Sequence, residues 1–196
     1  MISTFTAVFD ANVFYGARLR SLIMELAQTG TFRARWSEDI HREWIQAVLN
    51  NRPDLTASSL ERTRQCMDRA VLDCLVAGYE HLIPTLTLPD QNDRHVLAAA
   101  LRCNASVIVT FNEKDFRASV LEPYGIHTRH PDEFLLDIED IAPKLFIEAV
   151  ASDVSHYRHP PLSVETYLSD LVAAGVPKTA AHLAERRVLI DIDCDG

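Results

Sequence analysis

The order of strand-like and helix-like segments predicts an α/β protein, a three-layer α/β/α sandwich around a mainly parallel sheet. Short β-branched or aromatic runs alternate with longer segments in which apolar residues recur every three or four positions. Polar residues follow several of the strand-like runs. Open α/β sheets bind their ligands at the carboxyl ends of the strands, so these polar residues are the first candidates for a site.

The first half of the chain is predicted to supply two strands and three helices. Ser37 is the expected N-cap of the second helix, because two acids follow it where the helix dipole favours negative charge. A Ser58–Glu61 capping box begins the third. The predicted elements are strands at 4–9 and 32–36, and helices over 19–26, 38–48 and 58–78.

The second half first continues the alternation and then becomes helical only. The predicted elements are an extended segment at 81–88, a helix over 92–103, a strand at 107–110, a short turn or helix at 114–120 and a strand at 125–128. After Pro131 helical spacing runs through 134–150, 164–174 and 178–187, before an acidic and frayed tail after residue 189. We therefore predict an α/β domain at 1–130 and a helical extension at 131–196 that packs on it.

Composition excludes several classes of protein. The 196 residues are 47% hydrophobic and 24% charged, as in soluble globular proteins. No apolar run approaches the roughly 20 residues of a membrane span, and the N-terminus lacks the features of a signal peptide. The four cysteines form no C-x-x-C pair, which argues against a zinc site or a disulfide framework. We expect a cytoplasmic protein with buried thiols.

The net charge of −9 is unevenly distributed along the chain. Residues 1–130 hold 14 Arg and Lys against 15 Asp and Glu, a net charge of −1. Residues 131–196 hold 5 against 13, a net charge of −8. Such an asymmetry suggests that the two parts have different partners.

Four carboxylates occupy positions from which an α/β sheet builds a site. Asp10 follows the first strand, Asp93 opens a helix on a face that should be buried, and Asp115 lies beyond a later strand. Glu43 falls on the apolar face of its predicted helix, between Ile40 and Ala47. An acid on such a face is costly without a compensating cation or donors.

Each acid also has a purely structural explanation. Asp10 could cap the first helix, and Glu43 could pair with a buried arginine. The pairs Asp90–Asp93 and Asn112–Asp115 have the spacing of an N-cap and the third helical residue. The spacing leaves open whether Asp90 is a helix cap or a further metal ligand.

Together the acids predict a metal site. Carboxylates that converge on one point repel each other, and burial would force some of them to take up a proton. A divalent cation relieves this repulsion. Oxygen ligands without a nearby Cys or His pair favour a hard ion, Mg²⁺ or Mn²⁺.

Four features in this order resemble the PIN-domain nucleases, and among them the toxin ribonucleases of VapBC-type toxin–antitoxin modules. They are VFDANVF, Glu43, DRHVLAAA and VTFNEKDF, and the resemblance covers roughly residues 5–130. It implies the sandwich fold, metal-dependent endonucleolytic cleavage of RNA, and an antitoxin protein as partner. It leaves a homodimer open, and the region after 130 resembles an extension found on a subset of the family.

The resemblance assigns roles residue by residue. It implies that Asp10, Glu43, Asp93 and Asp115 are catalytic and hold Mg²⁺ or Mn²⁺, with Asp90 as a candidate fifth acid. The polar residues expected to orient water or carboxylates are Asn12, Thr110 and Asn112. The cations expected to hold RNA phosphates are Arg18, Arg20, Arg94, Lys114 and Arg117. His41 and His95 are interpreted as surface or structural residues.

Two other functions stay open. Haloacid-dehalogenase-type phosphatases also place an Asp after the first strand, but they usually have a second Asp two residues later, where this chain has Asn12. The other alternative is a non-catalytic module that binds RNA or serves as a scaffold. The complete set of acids argues against it.

Overall fold

The computed structural model describes residues 5–158, 161–186 and Ile190. They form two compact units. The sheet unit contains the described residues up to Tyr15 together with Phe32–His130. The helical unit contains Gly16–Thr31 together with the described residues from Pro131 onward.

The sheet unit is built on five parallel strands in the order β3-β2-β1-β4-β5, with helices on both sides of the sheet. The predicted fold class is therefore confirmed. The strands are β1 (Thr6–Phe9), β2 (Arg33–Ser37), β3 (Leu75–Val76), β4 (Val107–Val109) and β5 (His127–Arg129). Because β1 and β4 are neighbours, the polar residues that follow them, Asp10 and Thr110, lie side by side at one edge of the sheet.

The helices of the sheet unit follow its strands in the chain. They are α1 (Ala11–Phe14), α3 (Glu38–Asn51), α4 (Ala57–Ala70), α5 (Arg94–Arg102) and α6 (Ala118–Leu121). Helix α5 packs against β1, β2 and β4, and its residues from His95 to Ala100 are buried. This burial fixes the beginning of α5 relative to the strand ends.

Aromatic rings fill the core beside β1 and β2. Phe14 meets the edge of Trp36, with ring centroids 5.5 Å apart. The Trp36 indole donates to Asp68 at 2.8 Å, and His41 contacts the same carboxylate oxygen at 2.9 Å. The Trp44 indole donates to the other ring nitrogen of His41. His41 is thus a buried structural residue, one of the two interpretations that the sequence allowed.

Two predicted segments differ from the structure. The helix expected over 58–78 ends at Ala70, and the chain then turns through Asp73, which has a positive φ, into the short strand β3. Trp36 N donates to Cys74 O at this point, so pairing with β2 replaces the last helical turn. The segment expected to be extended contains the 3-10 helix Glu80–Thr85.

The helical unit consists of α2 (Ala17–Gln28), α7 (Pro131–Ile141), α8 (Pro143–Ser155), α9 (Val164–Ala173) and α10 (Pro177–Glu185). Helix α2 packs against α8 and α9 through a buried apolar stripe that includes Leu19, Leu22 and Leu26. This grouping differs from the predicted division at residue 130 in the placement of residues 16–31. The predicted acidic tail lies outside the described residues, apart from Ile190.

None of the helices in the described ranges is both long and apolar enough to cross a membrane.

Candidate active site

Asp10 lies at the carboxyl end of β1 and is buried, with 5% of its surface exposed. It caps α1, because its Oδ1 accepts from Ala11 N at 2.6 Å. Its Oδ2 accepts from Asn12 Nδ2 at 2.6 Å and from Thr110 Oγ1 at 2.7 Å. Burial raises the pKa of Asp10, an effect that the hydrogen bonds from Thr110 and Ala11 oppose. The carboxylate is held in one orientation by three donors.

Asn12 and Thr110 connect the ends of β1 and β4. Asn12 Nδ2 also lies 3.0 Å from Thr110 Oγ1, and Asn12 Oδ1 accepts from Phe111 N at 3.2 Å. Thr110 Oγ1 accepts from Asn112 N at 3.0 Å. The structure therefore brings these residues together around Asp10, where they orient its carboxylate.

Asp93 immediately precedes α5, in the N-cap position. Its side chain does not cap the helix, and its buried Oδ2 has no hydrogen-bond partner in the described part of the chain. Burial, together with the neighbouring carboxylates of Asp10, Asp90, Asp115 and Glu43, raises the pKa of Asp93 to about 7. The charges of the other four predicted acids thus all act on Asp93.

Glu43 projects from α3 with 45% of its side chain exposed, although the sequence pattern assigned it to the apolar face. Its partner is His95, not the buried arginine of the structural explanation: His95 Nε2 lies 2.8 Å from Glu43 Oε1. Neither ring nitrogen of His95 makes an aligned hydrogen bond within the described residues, so we describe the contact as an ion pair. Burial by itself would lower the pKa of His95, but Glu43 outweighs it and the pKa is raised.

The position of His95 was not foreseen from the sequence. Helical periodicity between Asp93 and His95 suggested that the two side chains point apart. Asp93 has αR backbone angles, and what the periodicity could not reveal is that His95 contacts Glu43 on α3. A histidine in the first turn of a helix that follows an acid is the signal that would have identified it.

Asp90 and Asp115 form the outer part of the cluster. Asp90 is exposed, and its Oδ1 accepts from Asn92 N at 2.8 Å, which closes a turn before α5. It is therefore not the N-cap of α5. Asp115 ends the 3-10 helix Glu113–Asp115 and accepts from the Asn112 amide. Asn112 thus orients one oxygen of Asp115.

The donor set fits a hard divalent cation. Among the described residues, no three Asp, Glu, His or Cys side chains are close enough to enclose an ion as they stand. The unpartnered Oδ2 of Asp93, however, lies among like charges with no cationic side chain bonded to it. A buried carboxylate oxygen in this setting requires a proton or a cation.

The five predicted RNA-binding cations fall into two groups. Arg18 and Arg20 lie in the helical unit. Arg18 is 11% exposed, pairs with Asp170 at 3.0 Å and stacks over the rings of Tyr157 and Tyr167. Burial lowers the pKa of Arg20 to about 10. Arg18 is thus engaged inside that unit, while contacts of either arginine with RNA stay a prediction.

The other three cations lie in the sheet unit near the acids in sequence. Arg94 donates to Gln91 O at 2.9 Å. Lys114 and Arg117 are exposed on either side of Asp115 and Phe116. They stay candidates for contacts with phosphate.

The fold is that of a PIN-domain protein. Residues 6–114, more than half of the chain, match the family model described as PIN domain, and the chain belongs to this family. The match includes Asp10, Glu43 and Asp93 and ends one residue before Asp115. Residues 131–185 match the family model described as VapC50 C-terminal domain, which covers α7 to α10.

One relative of the chain also has VapC50 in its name. The chain is 41% identical over 104 residues to a protein of Mycobacterium tuberculosis named "Putative ribonuclease VapC50". The aligned region is 53% of this chain and 60% of that relative. No solved structure matches the chain.

Proposed function

We propose that this chain is a metal-dependent endoribonuclease, the toxin of a type II toxin–antitoxin module that acts in the cytoplasm. The observation that carries the proposal is Asp93. Its half-buried carboxylate has an oxygen without a hydrogen bond from any described residue, and burial together with four further acids raises its pKa to about 7. Such an arrangement is unfavourable for folding, so a functional reason for it is needed.

The acids are proposed to bind Mg²⁺ or Mn²⁺, with Asp10, Glu43, Asp93 and Asp115 as ligands and Asp90 at the edge. When bound, such a cation lowers the pKa of water and neutralises charge on a phosphodiester. Asp10 is suited to the central position, because Ala11 N, Asn12 and Thr110 hold both of its oxygens. Asn112 similarly orients Asp115.

The substrate class rests on the family and on the relative. PIN-domain membership and the ribonuclease name of the relative both favour RNA. Lys114 and Arg117, exposed beside Asp115, are proposed to contact phosphates on the approaching strand. The antitoxin is proposed from the resemblance to VapC toxins, and residues 131–196 are a candidate for its binding surface because of their net charge of −8.

The test is cleavage of a mixed RNA pool in the presence of Mg²⁺. We expect cleavage by the wild-type protein and none in EDTA. Asp10→Asn should lower the rate by at least about 100-fold, because it removes a carboxylate charge from the centre of the cluster. Asp54→Asn is the matched control: Asp54 is exposed in the same unit and pairs with Arg52.

Cleavage that survives Asp10→Asn, with the control unchanged, would sink the proposed mechanism. RNA binding without cleavage, independent of Mg²⁺, would favour the non-catalytic module instead. A phosphoryl-aspartate trapped at Asp10 would favour the phosphatase. Asn12 argues against that alternative, because it donates to Asp10 from the place where those enzymes carry an acid.

A further inference from the structure

Glu43 depends on a single neighbour. Among the described residues, His95 is its only hydrogen-bonding or ion-pairing partner, at 2.8 Å between Nε2 and Oε1. The two side chains differ in freedom, since 45% of the Glu43 side chain is exposed and 9% of the His95 side chain. A flexible acid is therefore held by a residue that packing has already fixed.

Several effects favour conformations in which the Glu43 side chain points away from the other acids. A glutamate side chain loses rotamer entropy when it is fixed in one conformation. Its charge also repels Asp10 and Asp93: burial is the main cause of the raised pKa of both carboxyls, and the charge of Glu43 adds to it. Water beside α3 offers an alternative, because the side chain is on the exposed face. Without a counterpart, Glu43 would turn outward.

His95 is well placed to prevent this. It lies in the first turn of α5, two residues after Asp93, and α5 packs against β1, β2 and β4. One helix end thus sets the position of two acids: Asp93 directly through the backbone, and Glu43 through the His95 ring. The sequence DRH from Asp93 to His95 combines both functions in three residues.

We propose that His95 is a positioning residue that holds the Glu43 carboxylate towards the three aspartates through its Nε2 atom. The inference rests on the proposed function, since it assumes that Glu43 serves the metal site. His95 contacts Glu43 and none of the reacting atoms, so it is not itself a catalytic residue. Its effect on metal binding should pass entirely through Glu43.

The test compares three replacements that differ in where they place a donor. In His95→Gln the amide nitrogen reaches the place of Nε2, in His95→Asn it reaches only the place of Nδ1, and His95→Leu has no donor. Binding of Mn²⁺ alone is measured by electron paramagnetic resonance of the free ion. We expect about 10-fold weaker binding for Leu and Asn, and less than about threefold for Gln.

A double-mutant cycle with Glu43→Gln shows whether His95 acts through Glu43. We expect Glu43→Gln with His95→Leu to bind Mn²⁺ no more weakly than Glu43→Gln alone, because Glu43→Gln has already removed the carboxylate through which His95 acts. The exposed His81→Leu in the same unit is the control, and should bind Mn²⁺ like the wild type. Thermal unfolding in EDTA identifies variants that have lost the fold.

The outcomes separate this inference from the proposed function. Mn²⁺ affinity unchanged in His95→Leu, while Asp10→Asn loses it, would overturn the role of His95 and leave the nuclease proposal standing. Additive losses in the double mutant would likewise overturn it, as would Gln and Leu variants that are equally weak but well folded. A wild-type protein that binds no Mn²⁺ and cuts no RNA would overturn both.

Discussion

Asp132 in the helical unit and Asp93 in the sheet unit are acids with very different surroundings. Asp132 is buried, and its carboxylate accepts hydrogen bonds from Lys178 N at 2.9 Å, Thr179 N at 2.8 Å and Thr179 Oγ1 at 2.7 Å. These bonds satisfy the free N–H groups at the beginning of α10. Asp93 lies at the N-terminus of α5, but its side chain does not cap that helix, and its buried Oδ2 has no hydrogen bond from the part of the chain that the structure describes. Asp132 stabilises the fold, whereas Asp93 requires a proton or a cation that the described residues do not provide.

Asp153 shows that the direction of a pKa shift does not separate the two cases. Burial raises the pKa of Asp153 as it raises that of Asp93. Asp153, however, accepts hydrogen bonds from Ser21 and, at 2.8 Å, from the Tyr167 hydroxyl, and the nearby Arg18 favours its charge. Around Asp93 the neighbouring charges are negative. The partners of a buried acid, more than its pKa, indicate whether it belongs to a functional site.

The largest expected effect is on the acid that serves the fold. Asp132→Ala leaves the N–H groups of Lys178 and Thr179 without their acceptor, so we expect the free energy of unfolding to fall by about 2–4 kcal/mol. Urea unfolding followed by circular dichroism measures this. Asp140→Ala, an exposed position on the same helix, should change it by less than about 0.5 kcal/mol. Equal effects at the two positions would remove the basis for calling Asp132 structural.

Asp93→Asn should increase the free energy of unfolding, in contrast to Asp132→Ala. In EDTA at pH 8 the substitution removes a charge that is repelled by its neighbours, and we expect a gain of about 1–2 kcal/mol once solvent screening of a half-exposed group is allowed for. The same variant should lose the rise in melting temperature that Mg²⁺ gives the wild type. A loss of stability in EDTA would mean that Asp93 has a structural partner after all. Asp54→Asn is the control, and should behave like the wild type with and without Mg²⁺.

The pH dependence of stability sharpens the comparison within the helical unit. The pKa of Asp153 is raised in the folded protein, so the folded state binds its proton more tightly than the unfolded state does. This contribution to stability is complete below the unfolded pKa, near 4, and is lost as the pH rises through the folded value. Asp153→Asn cannot ionise, so its stability relative to the wild type should increase over that range. A difference that is constant from pH 3.5 to 7 would contradict the assignment.

The smallest expected effect concerns RNA. Lys114→Ala in the inactive Asp10→Asn background should weaken binding of single-stranded RNA a few-fold at low salt and reduce the slope of log affinity against log salt by about 0.7. Lys144→Ala, an exposed lysine of the helical unit, should leave both unchanged. Fluorescence anisotropy at several salt concentrations provides the measurement. An equal loss in both variants would indicate non-specific attraction in place of a contact beside the acids.

Features that depend on local sequence were the predictable ones. Asp10 and Thr110 could be assigned to one edge because parallel strands end on the same side of a sheet, and the structure has them 2.7 Å apart between Oδ2 and Oγ1. Helix α5 was predicted within two residues at its beginning and one at its end, because its six apolar residues are consecutive and the polar ones lie outside them. Asp93, the acid at the beginning of this helix, could be identified as a site candidate for the same reason.

Features that depend on distant contacts were not predictable. Arg18 is close in sequence to Asp10, yet its partners are Tyr157, Tyr167 and Asp170. Nothing in residues 16–31 distinguishes a helix that covers a sheet from one that packs with helices more than 100 positions later. The ion pair between Glu43 and His95 joins two helices in the same way.

Helix α2 gives the helical unit an unusual order of synthesis. Its residues leave the ribosome before most of the sheet, while α8 and α9, which cover Leu22 and Leu26, follow more than 100 residues later. At elongation rates of about 5–20 residues per second, this apolar face waits for several seconds without its partners. A chain cut after residue 130 would keep α2 and lose all the helices that cover it in this unit. The chaperone requirement of a nascent chain, and the solubility of a truncated one, are thus determined by a twelve-residue helix near its beginning.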